Sequence, residues 1–199
     1  MKLTHAFAAL RRYLTEDRGV IALETVVITP LLFLGLLFSY EYYGMIRQQS
    51  LQDKATYTVA DMLSRETTVV DDTYIDNTKR LFDMLTKDVE TSQLRVSVVR
   101  YHRNESENID EFELRWTALR GDGSLTELDE PAIGEMHGEK VFPDTLAGQD
   151  LIMVETRTVY RPQVSATGGL SDETPVSTRF FMPLRFAPQL CFEGVCEPA

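Results

Sequence analysis

Reactive side chains are scarce in this sequence, which has two cysteines, three histidines and one tryptophan in 199 residues. It contains no Gly-x-Ser-x-Gly elbow, no glycine-rich phosphate loop leading into a helix and no His-Glu-x-x-His pair. The usual arrangements for acyl transfer, phosphoryl transfer and zinc hydrolysis are therefore missing. Cys191 and Cys196 are too few for a zinc site, and His102 and His137 stand in unrelated surroundings. No stretch carries the ordered ligands of a calcium loop. Carboxylates are many but scattered, so no spaced pair marks acid–base chemistry. We expect no enzymatic activity, no metal and no cofactor.

Positive charge is also short. The formal net charge is -11, and from Tyr42 onward 16 basic residues face 27 acidic ones. Such a surface repels a phosphate backbone, which excludes nucleic acid as an expected partner. Cys191 and Cys196 lie near the C-terminus with four residues between them. In an exported domain they are close enough to close a short hairpin, a candidate disulfide contributing roughly 2 kcal/mol in the loop-entropy model.

Long apolar runs are absent with one exception, the 21 residues from Val20 to Tyr40. As a helix they would extend about 30 Å, the thickness of a hydrocarbon core. A secretory signal has a shorter apolar region with a small-x-small cleavage site at its far end. Here that end reads Phe38-Ser39-Tyr40-Glu41, so the run is expected to stay. Lys2, Arg11, Arg12 and Arg18 precede it, and the positive-inside rule places the N-terminus in the cytoplasm and everything after Gly44 outside it. Tyr40, Tyr42 and Tyr43 suit the headgroup boundary. The expected organisation is a basic leader at residues 1–19, a transmembrane helix at 20–43 and an extracytoplasmic α+β domain at 44–199.

Helical spacing continues past the span through Met45, Ile46, Leu51, Ala55, Val59, Met62 and Leu63, with Arg47, Gln48, Gln52, Asp53 and Asp61 as the polar side. One helix is expected from about Asp17 to Ser64. Asp71-Asp72 then caps a second helix from Tyr74 to Glu90, with Ile75, Leu81, Phe82, Leu85 and Val89 on one face. Beyond it the period becomes two. Leu94, Val96, Val98 and Arg100 share a face of a strand at 93–102, and Phe112, Leu114, Trp116 and Ala118 share one at 111–120. Residues 121–148 lack steady periodicity and read as a long exposed loop. Strands follow at 151–161 and 176–186, Pro183 assigning the last to a sheet edge. The fold class is α+β, with the amphipathic half of the first helix covering one face of about four mostly antiparallel strands.

One residue in the apolar run needs a reason, the carboxylate of Glu24. It sits five residues after Gly19, in Gly19-Val20-Ile21-Ala22-Leu23-Glu24, and Pro30 follows within the run. This pattern resembles the processing site of type IV pilin-like precursors, and in particular that of the TadE-like minor pseudopilins of the Tad (Flp) pilus system. The resemblance covers residues 18–40, and the domain beyond matches only in style. It implies a pilin-like lollipop, cut by a prepilin peptidase between Gly19 and Val20 to leave 180 residues. It further implies that Glu24 pairs with the new terminal ammonium of a neighbouring subunit and sets axial register. Pro30 would loosen or kink the helix on extraction from lipid. The implied partners are the prepilin peptidase, other minor pseudopilins, the pilus assembly platform and the inner membrane, with an extracellular location once in the pilus. Val20 stands where major pilins usually carry Phe, and the product exceeds the major Flp pilin in length, so a minor subunit is implied. The alternative is an uncleaved single-pass envelope protein with an outer binding or sensing domain.

Overall fold

A computed structural model describes residues 17–88, 90–104, 106, 108–162 and 173–195, and for 17–21 and 23 the backbone alone. The chain divides into two compact units, Met1–Gly44 with Pro162–Asp172 and Met45–Arg161 with Glu173–Ala199. The basic leader lies outside the described residues up to Glu16, as does the loop at 163–172.

In the first unit, the described structure is the beginning of α1, Asp17–Ser64, a helix of 48 residues that continues through Pro30 and Gly44 without interruption. Its extent agrees with the expectation from the apolar run and the 3.6-residue spacing beyond it.

The second unit is α+β. After α1 come α2 (Asp72–Thr86), β1 (Gln93–Asn104), β2 (Ile109–Arg120), α3 (Glu130–Gly138), β3 (Asp150–Tyr160) and β4 (Thr174–Pro183). The strands form one sheet in the order β2-β1-β3-β4, each neighbouring pair antiparallel. β4 is an edge strand and ends at Pro183, a residue that cannot donate to a ladder.

The second half of α1 covers one sheet face as expected, through a stripe that shares Ala55, Val59 and Leu63 with the expected one and is otherwise shifted. Gln52, Ala55, Thr56, Val59, Ala60 and Leu63 are buried, whereas Ile46 is 46% exposed. A polar amide can face the sheet because its bonds are met there. Gln52 Nε2 lies 3.1 Å from Thr156 O, Thr156 Oγ1 and Val176 O, and Gln52 Oε1 accepts from Thr158 Oγ1 at 2.7 Å. Leu94, Val96, Val98, Trp116, Ala118, Ile152 and Val154 join the helix residues in a single core.

α2 begins where Asp71 caps it, the carboxylate accepting the Tyr74 N–H at 2.7 Å. It stops at Thr86, four residues short of the expected Glu90. Lys87 turns left-handed (φ 59°), and Asp88 accepts from the Thr91 N–H and hydroxyl at 3.1 and 2.6 Å, which offers the chain a turn in place of another helical one. Leu85, expected on the buried face, is 39% exposed, and Val89 lies outside the described residues.

The expectation that Phe112, Leu114, Trp116 and Ala118 share one face is corrected by a β-bulge. Val98 pairs with Trp116 and Val99 with Leu114, so Arg115 is an extra residue with no opposite number in β1. One inserted residue reverses the side to which all later side chains point. Trp116 and Ala118 therefore enter the core under α1, while Phe112 and Leu114 enter a second cluster on the opposite face, with Val99, Leu151, Met153 and Ile133.

Ile133 belongs to α3, which lies inside the segment expected to be a loop. Asp129 caps this helix by accepting the Ala132 N–H at 3.0 Å, and Pro131 stands in its first turn, where its missing N–H costs nothing. Around Ile133 the second cluster is largely aromatic, with Phe142 stacked on Phe112 at 4.2 Å and set edge-on to Phe181 at 5.5 Å. On this face Glu155, 5% exposed, is paired with both Arg95 and Arg179.

The C-terminal segment is a core element. Val70 donates to Cys191 O at 2.8 Å and accepts from Glu193 N at 2.9 Å, and Trp116 Nε1 donates to Leu190 O at 2.7 Å. Leu190 is 2% exposed.

Candidate functional site

The sequence directs attention to the head of α1. Gly19 and Val20 lie in its first turn as helical backbone. Glu24, four residues past Val20, is about 6 Å further along the axis at 1.5 Å per residue. Its side chain is exposed. Pro30 is inside the helix, so one i to i-4 bond is absent at the carbonyl of Val26. These four positions share one helical element. Cys191 belongs to the second unit, is 6% exposed and is disulfide-bonded; Cys196 lies outside the described residues.

What surrounds Glu24 along the helix is apolar and uncovered. Val26, Leu31, Leu32, Phe33, Leu36 and Tyr40 are each more than half exposed. Soluble proteins rarely leave so continuous an apolar surface open to water. Among the described residues α1 is the one helix long and apolar enough to cross a membrane. One hydroxyl within this stretch suits that use, since Ser39 Oγ donates to Gly35 O at 2.8 Å and is satisfied by its own helix. Phe38 and Tyr42 stack at 6.3 Å, and Tyr40, Tyr42 and Tyr43 are exposed at the far end.

The second unit brings together few groups of the kind that do chemistry. Lys79 Nζ reaches Ser92 Oγ at 2.7 Å, a contact that in a catalytic dyad would activate the hydroxyl. Here both Asp83 oxygens also hold the ammonium, at 2.6 and 2.8 Å, and Ser92 is 2% exposed. The cluster therefore ties α2 to the start of β1 where substrate has no access. His102 pairs with Glu113 at 2.8 Å and His137 with Asp110 at 3.2 Å, two separate surface contacts. Among the described residues no three His, Cys, Asp or Glu side chains are grouped to hold a metal ion.

Two polar positions were missed by sequence reasoning. Gln52 looked like a solvent-side residue of an amphipathic helix. Glu130 looked like one acid among many, yet its Oε1 accepts the Leu114 N–H of β2 at 2.9 Å. The spacing of Thr156 and Thr158 on the inward side of β3 is the one local sign that a polar partner lies opposite.

A scan of protein-family models and searches of curated proteins and of solved structures found no match to this chain.

Proposed function

We propose that this chain is a minor pilin-like structural subunit of the TadE type, cut by a prepilin peptidase after Gly19 and assembled through α1 in Tad (Flp) pilus biogenesis. One observation carries the reading: a lone carboxylate, Glu24, is exposed at the head of a helix whose next 16 residues are apolar, polar only in hydroxyls, and uncovered where described. A charge there is costly in lipid unless it gains a partner. Cutting before Val20 creates a cation one helical turn away on the same helix, and in a neighbouring subunit the same cation is the partner. The α+β class of the second unit accords with a pilin-like domain, and fold alone assigns no function. The subunit waits in the inner membrane with its N-terminus in the cytoplasm and its domain in the periplasm, then moves into the fibre. Its role is structural, not catalytic.

The test is the intact mass of the protein extracted from membranes that contain a prepilin peptidase. We expect a chain of 180 residues beginning at Val20. A chain still beginning at Met1 sinks the proposal and leaves the uncleaved single-pass envelope protein as the better reading.

A further inference from the structure

Among the described residues β2 has β1 on one side and no strand on the other. An open edge offers N–H and C=O groups to any extended chain that meets it, and proteins guard such edges. Three features meet at one point on this edge. Arg115 is the extra residue of the bulge. The N–H of Leu114 beside it donates to Glu130 Oε1, at the first residue of α3. A shallow cleft of about 220 Å³ opens there, lined by Glu113, Leu114, Arg115, Trp116 and Val195, the last 57% exposed. Arg115 is half-buried and has no ion-pair partner among the described residues.

We propose that Glu130 is a removable guard on the β2 edge, and that the partner it holds off is the same edge of a second copy, added antiparallel about a two-fold axis at Leu114. Complementary charge supports this partner and this register. In an antiparallel two-fold pairing centred on Leu114, Arg115 of one copy stands opposite Glu113 of the other, and the converse pair forms by symmetry. Past Arg115 the bulge turns the later side chains to the other face, so the paired stretch is short, and within it no two acids are opposed. A register centred on Phe112 sets Glu111 against Glu113, and one centred on Glu111 or Glu113 sets that acid against itself. With Glu130 in place, the Leu114 N–H is taken and a further carboxylate joins Glu111 and Glu113 on the edge. That hold is light: the bond is solvent-exposed, and α3 has nine residues with Ile133 alone buried. This inference does not depend on processing at Gly19.

The experiment is sedimentation equilibrium of the full chain in detergent micelles. Glu130→Ala should favour the dimer by about tenfold over wild type, the scale of freeing one hydrogen-bonded N–H and removing one carboxylate on each edge. Glu130→Gln keeps an acceptor for Leu114 but not the charge and should fall between wild type and Glu130→Ala. In the Glu130→Ala background, Arg115→Glu should abolish the gain and the exchange Glu113→Arg with Arg115→Glu should restore it. Glu130→Ala sedimenting as wild type, or dimerising regardless of the sign at position 115, overturns the proposal. Hydrogen exchange in the unmutated protein gives a check that no folding defect can blur. The Leu114 amide should be protected, and an amide exchanging as freely as an open edge N–H means that no guard exists.

Discussion

Replacing Gln52 with alanine should be among the most damaging single changes in the second unit, although the residue is polar and lies on a helix. Its amide has two N–H groups, which serve three acceptors at 3.1 Å, and its carbonyl takes the Thr158 hydroxyl at 2.7 Å. Roughly three hydrogen bonds are lost, at about 1 kcal/mol net each. The Thr158 hydroxyl, itself fully buried, is left without its acceptor, which adds about 1 kcal/mol or more. The expected loss is therefore about 3 to 5 kcal/mol, a large share of the roughly 5–15 kcal/mol that holds a typical domain together. Urea unfolding of the full chain in detergent can measure it. Trp116 is the only tryptophan, is 5% exposed and bonds to Leu190 O, so its fluorescence reports this core. Gln49→Ala, at an exposed position of the same helix, is the control and should change stability by less than about 0.5 kcal/mol. Should Gln52→Ala unfold at the same urea concentration as Gln49→Ala, the reasoning about the buried amide is wrong. Thr158→Val in a double-mutant cycle sharpens the test, because the two effects should fall well short of adding.

Asp71→Ala removes the cap of α2 and should cost about 1 kcal/mol by the same urea assay, while Asp72→Ala, one residue on, should not remove the cap bond. Burial, helped by the charge and hydrogen bond of Glu66, pushes the Tyr74 phenol up to about 12. The unfolded chain then releases this proton first, so stability falls as pH rises from about 10 through about 12, and Tyr74→Phe should flatten that alkaline loss in thermal melts. Glu66 itself is held below the ordinary carboxylate range by the Thr68 hydroxyl and backbone N–H, so its contribution is present above pH 4.5 and disappears as pH falls through the lowered value. NMR titration of Glu66 checks that direction, and a midpoint at or above 4.5 refutes it. Glu24→Gln should leave membrane insertion intact and abolish cross-linking between neighbouring N-terminal helices in assembled material; unchanged cross-linking removes the register role.

The extent of α1 was legible because two strong patterns meet in it, an apolar run and a 3.6-residue stripe. The four strands were legible from alternation. The bulge at Arg115 was not, since Phe112, Leu114, Trp116 and Ala118 alternate without a break and the inserted residue is visible only against the register of β1. α3 was hidden because one buried residue, Ile133, leaves no stripe to read, although Asp129-Glu130-Pro131 is a sound helix start. The end of α2 was missed because Lys87 and Asp88 are compatible with a helix until the Asp88 side chain captures Thr91. At the candidate site, Gly19, Glu24 and Pro30 stood out because each is unusual in an apolar run. Gln52 and Glu130 gain their meaning from partners about 100 and 16 residues away, which no local pattern encodes.

The same remoteness explains why a polar network sits under α1. The stripe of Ala55, Val59, Ala60 and Leu63 is made of smooth side chains spaced three or four apart. Against Val96, Val98, Ile152 and Val154, a slide of the helix by one turn would exchange one apolar contact for another at modest cost. The hydrogen bonds of Gln52 and of Thr56, whose hydroxyl meets Thr156 at 2.7 Å, can form in one register only. After a slide by one turn, Gln48 or Thr56 would stand where Gln52 does, and the pairing of an amide with Thr158 beside a hydroxyl with Thr156 would not be reproduced. An apolar residue at position 52 would thus retain much of the burial and lose the choice of register. Gln52→Leu should therefore broaden the amide spectrum of residues 52–63 into more than one set of signals. A single sharp set would show that packing alone selects the register.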